Sequence, residues 1–448
     1  MSIDAITPID GRYRDKLQVC SEYFSEKALI RHRLVVEAKY LRAFLEAVGR
    51  KTEAEKTSKF EEIFAALSTE EAEEVKKLEA KLGHDVVAAT TFFEKKLDKE
   101  GLGSLRPFVH FGLTSEDVNN IAYALAVKSF IHEILIPEIL TLVEKLVELA
   151  ENHASTPFLA RTHGQPAVPT SFGSFIANYA YRTAVQTAKL KDINPQAKIG
   201  GAVGDLSALA ATYPEIDWQS FAEKFITSLG LEFNPASTQI LPHERTSEIL
   251  QTIAVIDSVL ANLCRDMWLL GALGLIEFRK PAEQVHSSTM PQKRNPLLFE
   301  NAEGCFDLAA NMLNYMSSRL LSSRLHRDLS DSVIKRFYGT GFALSLLGVK
   351  NTYQALNQIT VNTEAMEKEV ETHPETMAEI AQLILRKHNV PNAYEAAAKG
   401  IHDIRQTLVK HGVDPNVIDP TKYIQAAQKK AETLIKKTRN ITKTIKVT

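Results

Sequence analysis

The chain of 448 residues contains little of what defines several large protein classes. Its three cysteines are widely spaced and form neither a disulfide framework nor a metal-binding motif, as in a reducing compartment. The net charge is only −2, which does not indicate a nucleic-acid partner. No apolar run is long enough to cross a bilayer, and the N-terminus lacks the features of a signal peptide. We therefore expect a cytoplasmic protein without membrane association, metal or other cofactor.

Alternating strand-like patterns are also scarce, and helical periodicity dominates the chain. The longest apolar stripe runs from Ile249 to Leu270 in steps of four and three, the heptad pattern of helices packed in a bundle. The sequence therefore predicts an all-α fold, with a long central helical bundle and smaller helical N- and C-terminal domains. We expect the stripe to form a bundle core and to supply apolar surface through which subunits associate.

Three segments are predicted along the chain. Residues 1–104 form a helical N-terminal domain, which ends at a linker, Gly101–Pro107. Residues 105–358 hold the long helices of the bundle. Residues 359–448 form a helical cap domain, whose basic tail we interpret as the solvated face of a helix.

Four helix limits follow from local signals. A helix is predicted over Arg31–Val48 and ends at the following glycine. Thr114 begins another helix as its cap, with acidic residues in the first turn. Pro137 is expected to kink or interrupt that run. A further long helix is predicted over Asp331–Gln358.

Residues 283–304 contain the densest set of reactive side chains. Pro291 and Pro296 do not suit a helix interior, so we predict a loop, followed by a helix that starts near Pro296. The loop places hydroxyls, cations and an amide beside the positive end of that helix: Ser287, Ser288, Lys293, Arg294 and Asn295. These groups suit an anion or a negative charge that develops during a reaction. The alternative is a solvated basic surface loop.

Two histidines stand in polar surroundings. His163 lies in the segment Arg161–Pro166, which we interpret as a turn between helices, where it can act as an acid or a base. A histidine in such a turn is more often structural when it is considered alone. Asp85 follows His84 and is able to orient its imidazole, although His–Asp pairs are also common on surfaces.

Two further loops suit ligand binding. Phe111–Asp117 offers hydroxyls and free N–H groups at a helix start, which suits an anion, although a plain capping box gives the same pattern. Gly200–Gly204 would let the backbone approach a ligand closely. No strand precedes these glycines and their spacing differs from the dinucleotide fingerprint, so we exclude a dinucleotide site there.

Two arginine-containing segments complete the candidates. They are Asp10–Tyr13 near the N-terminus and Ser323–Arg336 before the last long helix. Ser332 and Arg336 are four residues apart and share one helix face, where a hydroxyl and a guanidinium suit a phosphate. Ordinary surface ion pairing is the alternative.

Several of these motifs resemble one enzyme superfamily. The loop sequence S-S-T-M-P-Q-K-R-N-P, Ser287 to Pro296, is similar to the signature of the fumarase/aspartase superfamily, whose members eliminate fumarate or a close relative. A second superfamily motif, T-H-x-Q-x-A, is matched at residues 162–167. Within the superfamily, D-G-R-Y at residues 10–13 and S-R-x-x-R-D-L-S-D-S at residues 323–332 resemble the adenylosuccinate lyase family.

The resemblance implies a β-elimination that gives fumarate and AMP from adenylosuccinate, and fumarate and AICAR from SAICAR. In that reaction Ser287 removes the carbon-bound proton and His163 protonates the leaving nitrogen. Lys293 stabilises the serine alkoxide and, with Asn295, holds the fumaryl carboxylates. Glu300 pairs with His163 and raises its pKa.

The family also implies residues that contact the substrate. His84 counts among the catalytic residues. The substrate contacts are Asp85, Thr114, Ser115, Gln239 and Ser288, and the phosphate and nucleotide contacts are Arg12, Tyr13, Arg327, Ser332 and Arg336. A homotetramer with active sites shared between subunits is implied as well. The alternatives are another fumarate-releasing enzyme, such as an argininosuccinate lyase, and a non-catalytic bundle protein with the same fold.

Overall fold

The computed structural model describes residues 3–279, 290, 292–401 and 403–447. Helices dominate these residues, which confirms the predicted all-α class. The strands in this part of the chain are short and form only two-stranded pairs. None of the helices described is long and apolar enough to cross a membrane.

The N-terminal helices follow one another with short connections. They are α1 (Arg14–Leu17), α2 (Ser21–Phe24), α3 (Glu26–Ala47), α4 (Lys51–Thr57), α5 (Lys59–Ala65), α6 (Thr69–Leu82) and α7 (Asp85–Lys99). The helix predicted over Arg31–Val48 is α3, and it begins earlier because the Ser25 hydroxyl accepts a hydrogen bond from Ala28 N at 3.1 Å. Gly49 follows its end with φ 82°, a conformation that glycine adopts without strain.

The segment predicted as a linker is folded. Gly103–Phe108 form a 3₁₀ helix, and the side chain of Leu105 is buried in an apolar core. Burial of this leucine fixes a segment whose glycines alone indicate flexibility.

The next helices confirm the predicted start at Thr114. Helix α8 (Ser115–Phe130) begins with a capping box, in which the Thr114 hydroxyl accepts from Glu116 N and the Asp117 carboxylate accepts from Thr114 N. A π-helical turn, Ile131–Leu135, leads into α9 (Ile136–Asn152). The irregularity comes directly before Pro137, which has no N–H to donate, as predicted for this proline.

The segment interpreted as a turn between helices is instead a β-hairpin. Strand β1 (Pro157–Thr162) pairs antiparallel with β2 (Gln165–Ser171). His163 and Gly164 form the two-residue turn with φ 53° and 74°, which is typical of a type I′ turn. Both strands contain proline, which is tolerated there because a two-stranded pair leaves one edge of each strand unpaired.

Three helices and a pair of two-residue strands connect the hairpin to helix α13 (Glu244–Ala272) in the described chain. They are α10 (Phe172–Asp192), β3 (Gln196–Ala197), α11 (Ser207–Thr212), α12 (Trp218–Ser228) and β4 (Glu232–Phe233), and β3 pairs with β4. Helix α13 then carries the predicted heptad stripe, Ile249 to Leu270. All seven stripe residues are buried within the single chain, so the expectation that this stripe supplies surface between subunits is wrong.

The remaining helices include the one predicted after the signature loop. The elements are β5 (Ile276–Phe278), α14 (Leu297–Leu320), α15 (Ser330–Lys335), α16 (Tyr338–Leu356), β6 (Ile359–Val361), α17 (Thr363–Thr372), α18 (Ala378–Lys387), α19 (Ala393–Lys399), α20 (Ile404–Lys410) and α21 (Pro420–Val447). Helix α14 starts directly after Pro296, as predicted. The helix predicted over Asp331–Gln358 is two helices, because Phe337 N bonds to Ile334 O in a tighter i→i+3 turn.

The chain divides into two compact units. The first unit comprises Met1–Pro137, Lys189–Asp257 and Phe306–Leu347, and the second comprises Glu138–Ala188, Ser258–Cys305 and Gly348–Thr448. Among the described residues of the first unit, one apolar core lies among α3 to α7, and another, rich in aromatic residues, lies around α3, α8 and α12. The second has a smaller core among α18 to α20. The three-segment domain division remains a prediction.

Candidate functional site

The first unit contains a cavity of about 920 Å³. Seven residues that the sequence singled out line it: His84, Asp85, Ser115, Gln239, Arg327, Ser332 and Arg336. They come from the starts of α7 and α8, from the loop before α13 and from the segment around α15. Helix starts and loops therefore bring together groups that are distant in the sequence.

His84 is both a lining residue and a helix cap. Its Nδ1 accepts a hydrogen bond from Val87 N at 3.4 Å at the start of α7. The Nε2 atom lies 3.5 Å from the Ser115 hydroxyl. Because Nδ1 acts as an acceptor, we infer that a neutral imidazole carries its proton on Nε2, on the side of Ser115.

Asp85 pairs more closely with two arginines than with His84. Its Oδ2 lies 2.6 Å from Arg33 Nη2 and 3.3 Å from Arg336 Nη2, whereas Oδ1 lies 3.6 Å from His84 Nδ1. Burial acts to raise the pKa of Asp85, but the charge and hydrogen bond of Arg33 outweigh it, and the pKa is lowered. Asp85 therefore stays ionised and mainly organises cations. Arg33 also donates from Nε to the Asn119 side chain at 2.8 Å.

Asp117 connects the start of α8 to the glycine-rich loop. Its Oδ1 accepts from Lys198 Nζ at 2.7 Å and from Gly200 N at 2.9 Å, and its Oδ2 accepts from Gly201 N at 3.1 Å and from Thr114 N at 2.9 Å. The side chains of Asp117 and Lys198 are both 0% exposed. This buried pair fixes two loops beside the cavity and places Ser115 on its wall.

The glycines of the loop contact protein backbone rather than the cavity. A Cβ atom on Gly200 would lie 2.7 Å from Gly204 Cα, and one on Gly204, where φ is 104°, would lie 2.4 Å from Ser237 O. The residues between them, Ala202 and Val203, line the cavity. The close approach predicted for this loop therefore serves loop packing.

Gln239 and Arg327 form the next part of the wall. Gln239 donates to Ala202 O at 2.7 Å and accepts from Arg327 Nη1 at 3.2 Å. Arg327 Nη2 lies 3.4 Å from the buried carboxylate of Glu116. The orientation of the Gln239 side-chain amide is fixed by its two contacts, since Ala202 O accepts a hydrogen bond and Arg327 donates one.

A buried lysine anchors α15. Lys335 Nζ lies 2.5 Å from Glu116 Oε1 on α8 and 2.6 Å from Asp331 Oδ2 one helical turn back, and its side chain is only 2% exposed. Burial acts to lower the pKa of Lys335, but the two carboxylates outweigh it and the pKa is raised, so the ammonium stays charged. This cluster holds the helix that carries Ser332.

Sequence reasoning missed three of the residues that stabilise these walls: Arg33, Lys198 and Lys335. Each is a cation within an apolar helical or loop pattern. Because a lysine or arginine is almost never fully buried without a partner, a cation at a buried position was the available signal. The position of the partner carboxylate could not be inferred, since it lies far away in the sequence.

The second unit contains the hairpin turn with His163. The imidazole is exposed, and it makes no hydrogen bond to the part of the chain that the structure describes. The hairpin is attached to α17 through Arg161, whose Nη1 lies 3.3 Å from Glu369 Oε2. This attachment fixes the turn from behind and leaves the histidine accessible.

Lys293, Asn295 and Glu300 also belong to the second unit. Lys293 and Asn295 directly precede α14, and Glu300 lies in its first turn, where its Oε1 accepts from Trp268 Nε1 at 3.1 Å. The pairing of Glu300 with His163 is a prediction that the structure does not test. Ser287 and Ser288 lie outside the described residues.

Arg12 and Tyr13 belong to the first unit. They directly precede α1, and they are not among the described residues that line the cavity. Thr114 caps α8 beside the cavity-lining Ser115 without lining the cavity itself. Their contact with a substrate remains a prediction.

Comparisons with known proteins agree with one another over most of the chain. Residues 11–307 match the family model described as lyase, and residues 323–436 match the model described as adenylosuccinate lyase C-terminal. The chain is 38% identical to adenylosuccinate lyase of Legionella pneumophila, over 88% of each chain, and 36% identical to that of Escherichia coli, over 88% of each. A solved structure of 3-carboxy-cis,cis-muconate lactonizing enzyme from Pseudomonas putida has a TM-score of 0.77 at 18% identity, covering 96% of this chain and 100% of that chain.

Proposed function

Because this chain belongs to the adenylosuccinate lyase family, we propose that it eliminates fumarate from adenylosuccinate to give AMP, and from SAICAR to give AICAR. In this reaction a base removes a carbon-bound proton, the C–N bond breaks, and the nitrogen leaves with a proton. The observation that carries the proposal is the cavity of the first unit, where seven residues expected for this family meet.

The cavity suits a nucleotide in size and charge. Its volume of about 920 Å³ lies in the range of small-molecule sites. Arg327, Ser332 and Arg336 supply two guanidinium groups and a hydroxyl for a phosphate. His84 and Ser115 supply an imidazole and a hydroxyl for the rest of the substrate, so we assign them to substrate binding and proton transfer.

We assign the elimination itself by family resemblance. Ser287 is the base, and Lys293 and the N–H groups near α14 stabilise its alkoxide. Asn295 shares with Lys293 the fumaryl carboxylates. His163 is the acid at the leaving nitrogen, a role that suits an accessible imidazole, and Glu300 is its proposed partner.

We further propose a cytoplasmic homotetramer with shared active sites. The heptad stripe is buried within the chain, so association requires other apolar surface. Large apolar side chains remain exposed in each unit, Leu308 and Tyr315 on α14 in the first and Trp268 and Leu269 on α13 in the second. Exposed apolar residues of this kind on either unit support an interface between subunits.

Mixed tetramers test the shared site. The variants His163→Gln and Ser287→Ala should each be nearly inactive alone. Dissociating and reassembling them together should recover activity, because some sites then take the intact histidine from one chain and the intact serine from another. Native mass spectrometry verifies the exchange of subunits. Exchange without recovered activity would require both residues of a site to come from one chain.

Ultraviolet absorbance tests the activity directly. Mixing the purified protein with adenylosuccinate should produce AMP and fumarate in equal amounts, whereas argininosuccinate should remain unchanged. Release of fumarate from argininosuccinate alone would favour the related lyase. No release from adenylosuccinate, SAICAR or argininosuccinate would favour the non-catalytic bundle protein.

A further inference from the structure

Arg336 at the cavity wall contacts two carboxylates from other elements. Its Nη1 lies 3.2 Å from Glu26 Oε1 at the start of α3, and its Nη2 lies 3.3 Å from Asp85 Oδ2 at the start of α7. The side chain of Arg336 is 43% exposed, and that of Glu26 is 56% exposed. The guanidinium assigned to the phosphate is therefore already paired within the protein.

Each of these carboxylates also has a second cation. Asp85 lies 2.6 Å from the buried Arg33, and Glu26 Oε2 lies 3.2 Å from Lys76 Nζ on α6. If Arg336 moved to another anion, neither carboxylate would be left without a positive partner. This movement of Arg336 therefore costs little free energy, because it leaves no charged group without a partner of opposite charge.

We propose that Glu26 sets the affinity for the nucleotide phosphate by competing with it for Arg336. The inference rests on the proposed function, which supplies a ligand with a phosphate group. A phosphate monoester carries up to two negative charges and binds a guanidinium through short, charge-assisted hydrogen bonds. It replaces Glu26 at Arg336, and Glu26 keeps its contact with Lys76.

Glu26 and Asp85 differ in how firmly they are held. Asp85 is fixed at the start of α7, where its Oδ1 accepts from Val86 N at 2.9 Å, and by the ion pair with Arg33. Glu26 holds Arg336 through a single exposed contact, and such exposed ion pairs contribute little to stability. Glu26 is therefore the partner that a phosphate displaces, whereas Asp85 continues to position the guanidinium.

The test is the variant Glu26→Gln, with Glu79→Gln as the matched control. Glu79 lines the same cavity and contacts the same Lys76 at 2.7 Å, but it does not contact Arg336. Calorimetric titration with AMP and with adenosine separates the phosphate from the rest of the nucleotide. We expect Glu26→Gln to strengthen AMP binding by about two- to five-fold, which corresponds to the loss of an exposed ion pair.

The same variant should leave adenosine binding unchanged, and Glu79→Gln should strengthen AMP binding by less. Weaker AMP binding by Glu26→Gln would mean that Glu26 positions Arg336 and would overturn the proposal. The proposal would also be overturned if both variants gained equally in AMP affinity, or if Glu26→Gln gained equally in affinity for AMP and for adenosine. Neither result would depend on the release of Arg336 from Glu26. A failure of the proposed function can be distinguished from a failure of this inference, because the wild-type protein would then release no fumarate from adenylosuccinate or SAICAR.

Discussion

The two units support their predicted site residues in different ways. In the first unit, the cavity walls are stabilised by two buried ion pairs, Asp117 with Lys198 and Glu116 with Lys335. In the second unit, His163 lies on an exposed hairpin turn whose backbone has positive φ. The groups assigned to binding are thus fixed by buried charge, whereas the assigned acid is held mainly by backbone geometry.

This difference predicts how each unit responds to substitution of its site residues. A buried ion pair tolerates poorly the loss of one partner, because the remaining charge stays out of water. An exposed side chain on a turn can be replaced with little effect on folding. Substitutions in the buried ion pairs of the first unit should therefore affect stability and binding together, and those at the exposed His163 should affect catalysis with little effect on stability.

The largest effect on stability is expected from Lys335→Met. It removes the ammonium between Glu116 and Asp331, so that Asp331 loses this cation and Glu116 keeps the longer contact with Arg327 at 3.4 Å. Breaking such a buried pair costs about 3–5 kcal/mol, and urea denaturation should measure a loss of this size in the free energy of unfolding. The control Lys95→Met removes an exposed pair with Glu74 and should cost less than about 1 kcal/mol. Equal losses of unfolding free energy in the two variants would contradict the argument that burial determines what an ion pair contributes to stability.

Asp257 differs from these pairs, because its buried carboxyl group forms no ion pair within the part of the chain that the structure describes. It lies fully buried on α13, where the Ser345 hydroxyl donates to it, and burial raises its pKa to about 8. Between about pH 4 and pH 8 the folded protein keeps this proton while the unfolded chain releases it, so stability falls as the pH rises.

The variant Asp257→Asn does not titrate and should lose this pH dependence. Its free energy of unfolding relative to wild type should therefore increase by roughly 2–4 kcal/mol from pH 4 to pH 8, at about 1.4 kcal/mol for each unit of pKa shift after a discount for relaxation. Denaturant unfolding at three pH values measures this difference. A difference that does not vary with pH would mean that Asp257 is ionised in the fold.

Ser287→Ala should reduce turnover by at least ~10²-fold, the usual contribution of a general base. Nucleotide binding should persist, because the proposed phosphate contacts belong to the first unit. Steady-state kinetics and AMP titration measure the two quantities. Near-normal turnover would move the base elsewhere, with Ser288 as the first residue to examine by the same substitution.

Local sequence signals predicted the helices well. The cap at Thr114, the helix start after Pro296 and the buried stripe of α13 all follow from rules that involve neighbours within a few residues. The exceptions have physical causes. The hairpin of β1 and β2 is stabilised by pairing between its two strands, and a tight turn at Phe337 divided one predicted helix.

The candidate site was predictable as a set of motifs but not as a set of contacts. Arg336 follows a serine at helical spacing, and this local pattern indicated phosphate binding. Its pairing with Glu26 and Asp85 joins residues hundreds of positions apart, which no spacing rule describes. The pairing of Arg33 with Asp85 was likewise not predictable, because Arg33 lies within an ordinary amphipathic helix.

The smallest effect concerns Arg336 itself. Arg336→Ala removes one charge-assisted contact to the phosphate and should weaken AMP binding by roughly 1.5–3 kcal/mol, towards the lower value because the arginine must first leave Glu26. Adenosine binding should hardly change. The control Arg324→Ala removes an arginine of the same segment that does not itself line the cavity, although its partner Asp328 does, and should leave AMP affinity nearly unaltered.

A double-mutant cycle sharpens this last prediction. In the Arg336→Ala background, Glu26→Gln has no guanidinium to release, so its gain in AMP affinity should disappear. Calorimetric titration of the four proteins with AMP measures the coupling between the two residues. Independent effects would show that Glu26 acts through the general charge of the cavity, and equal losses of AMP and adenosine binding in Arg336→Ala would assign this arginine to the fold instead of the phosphate.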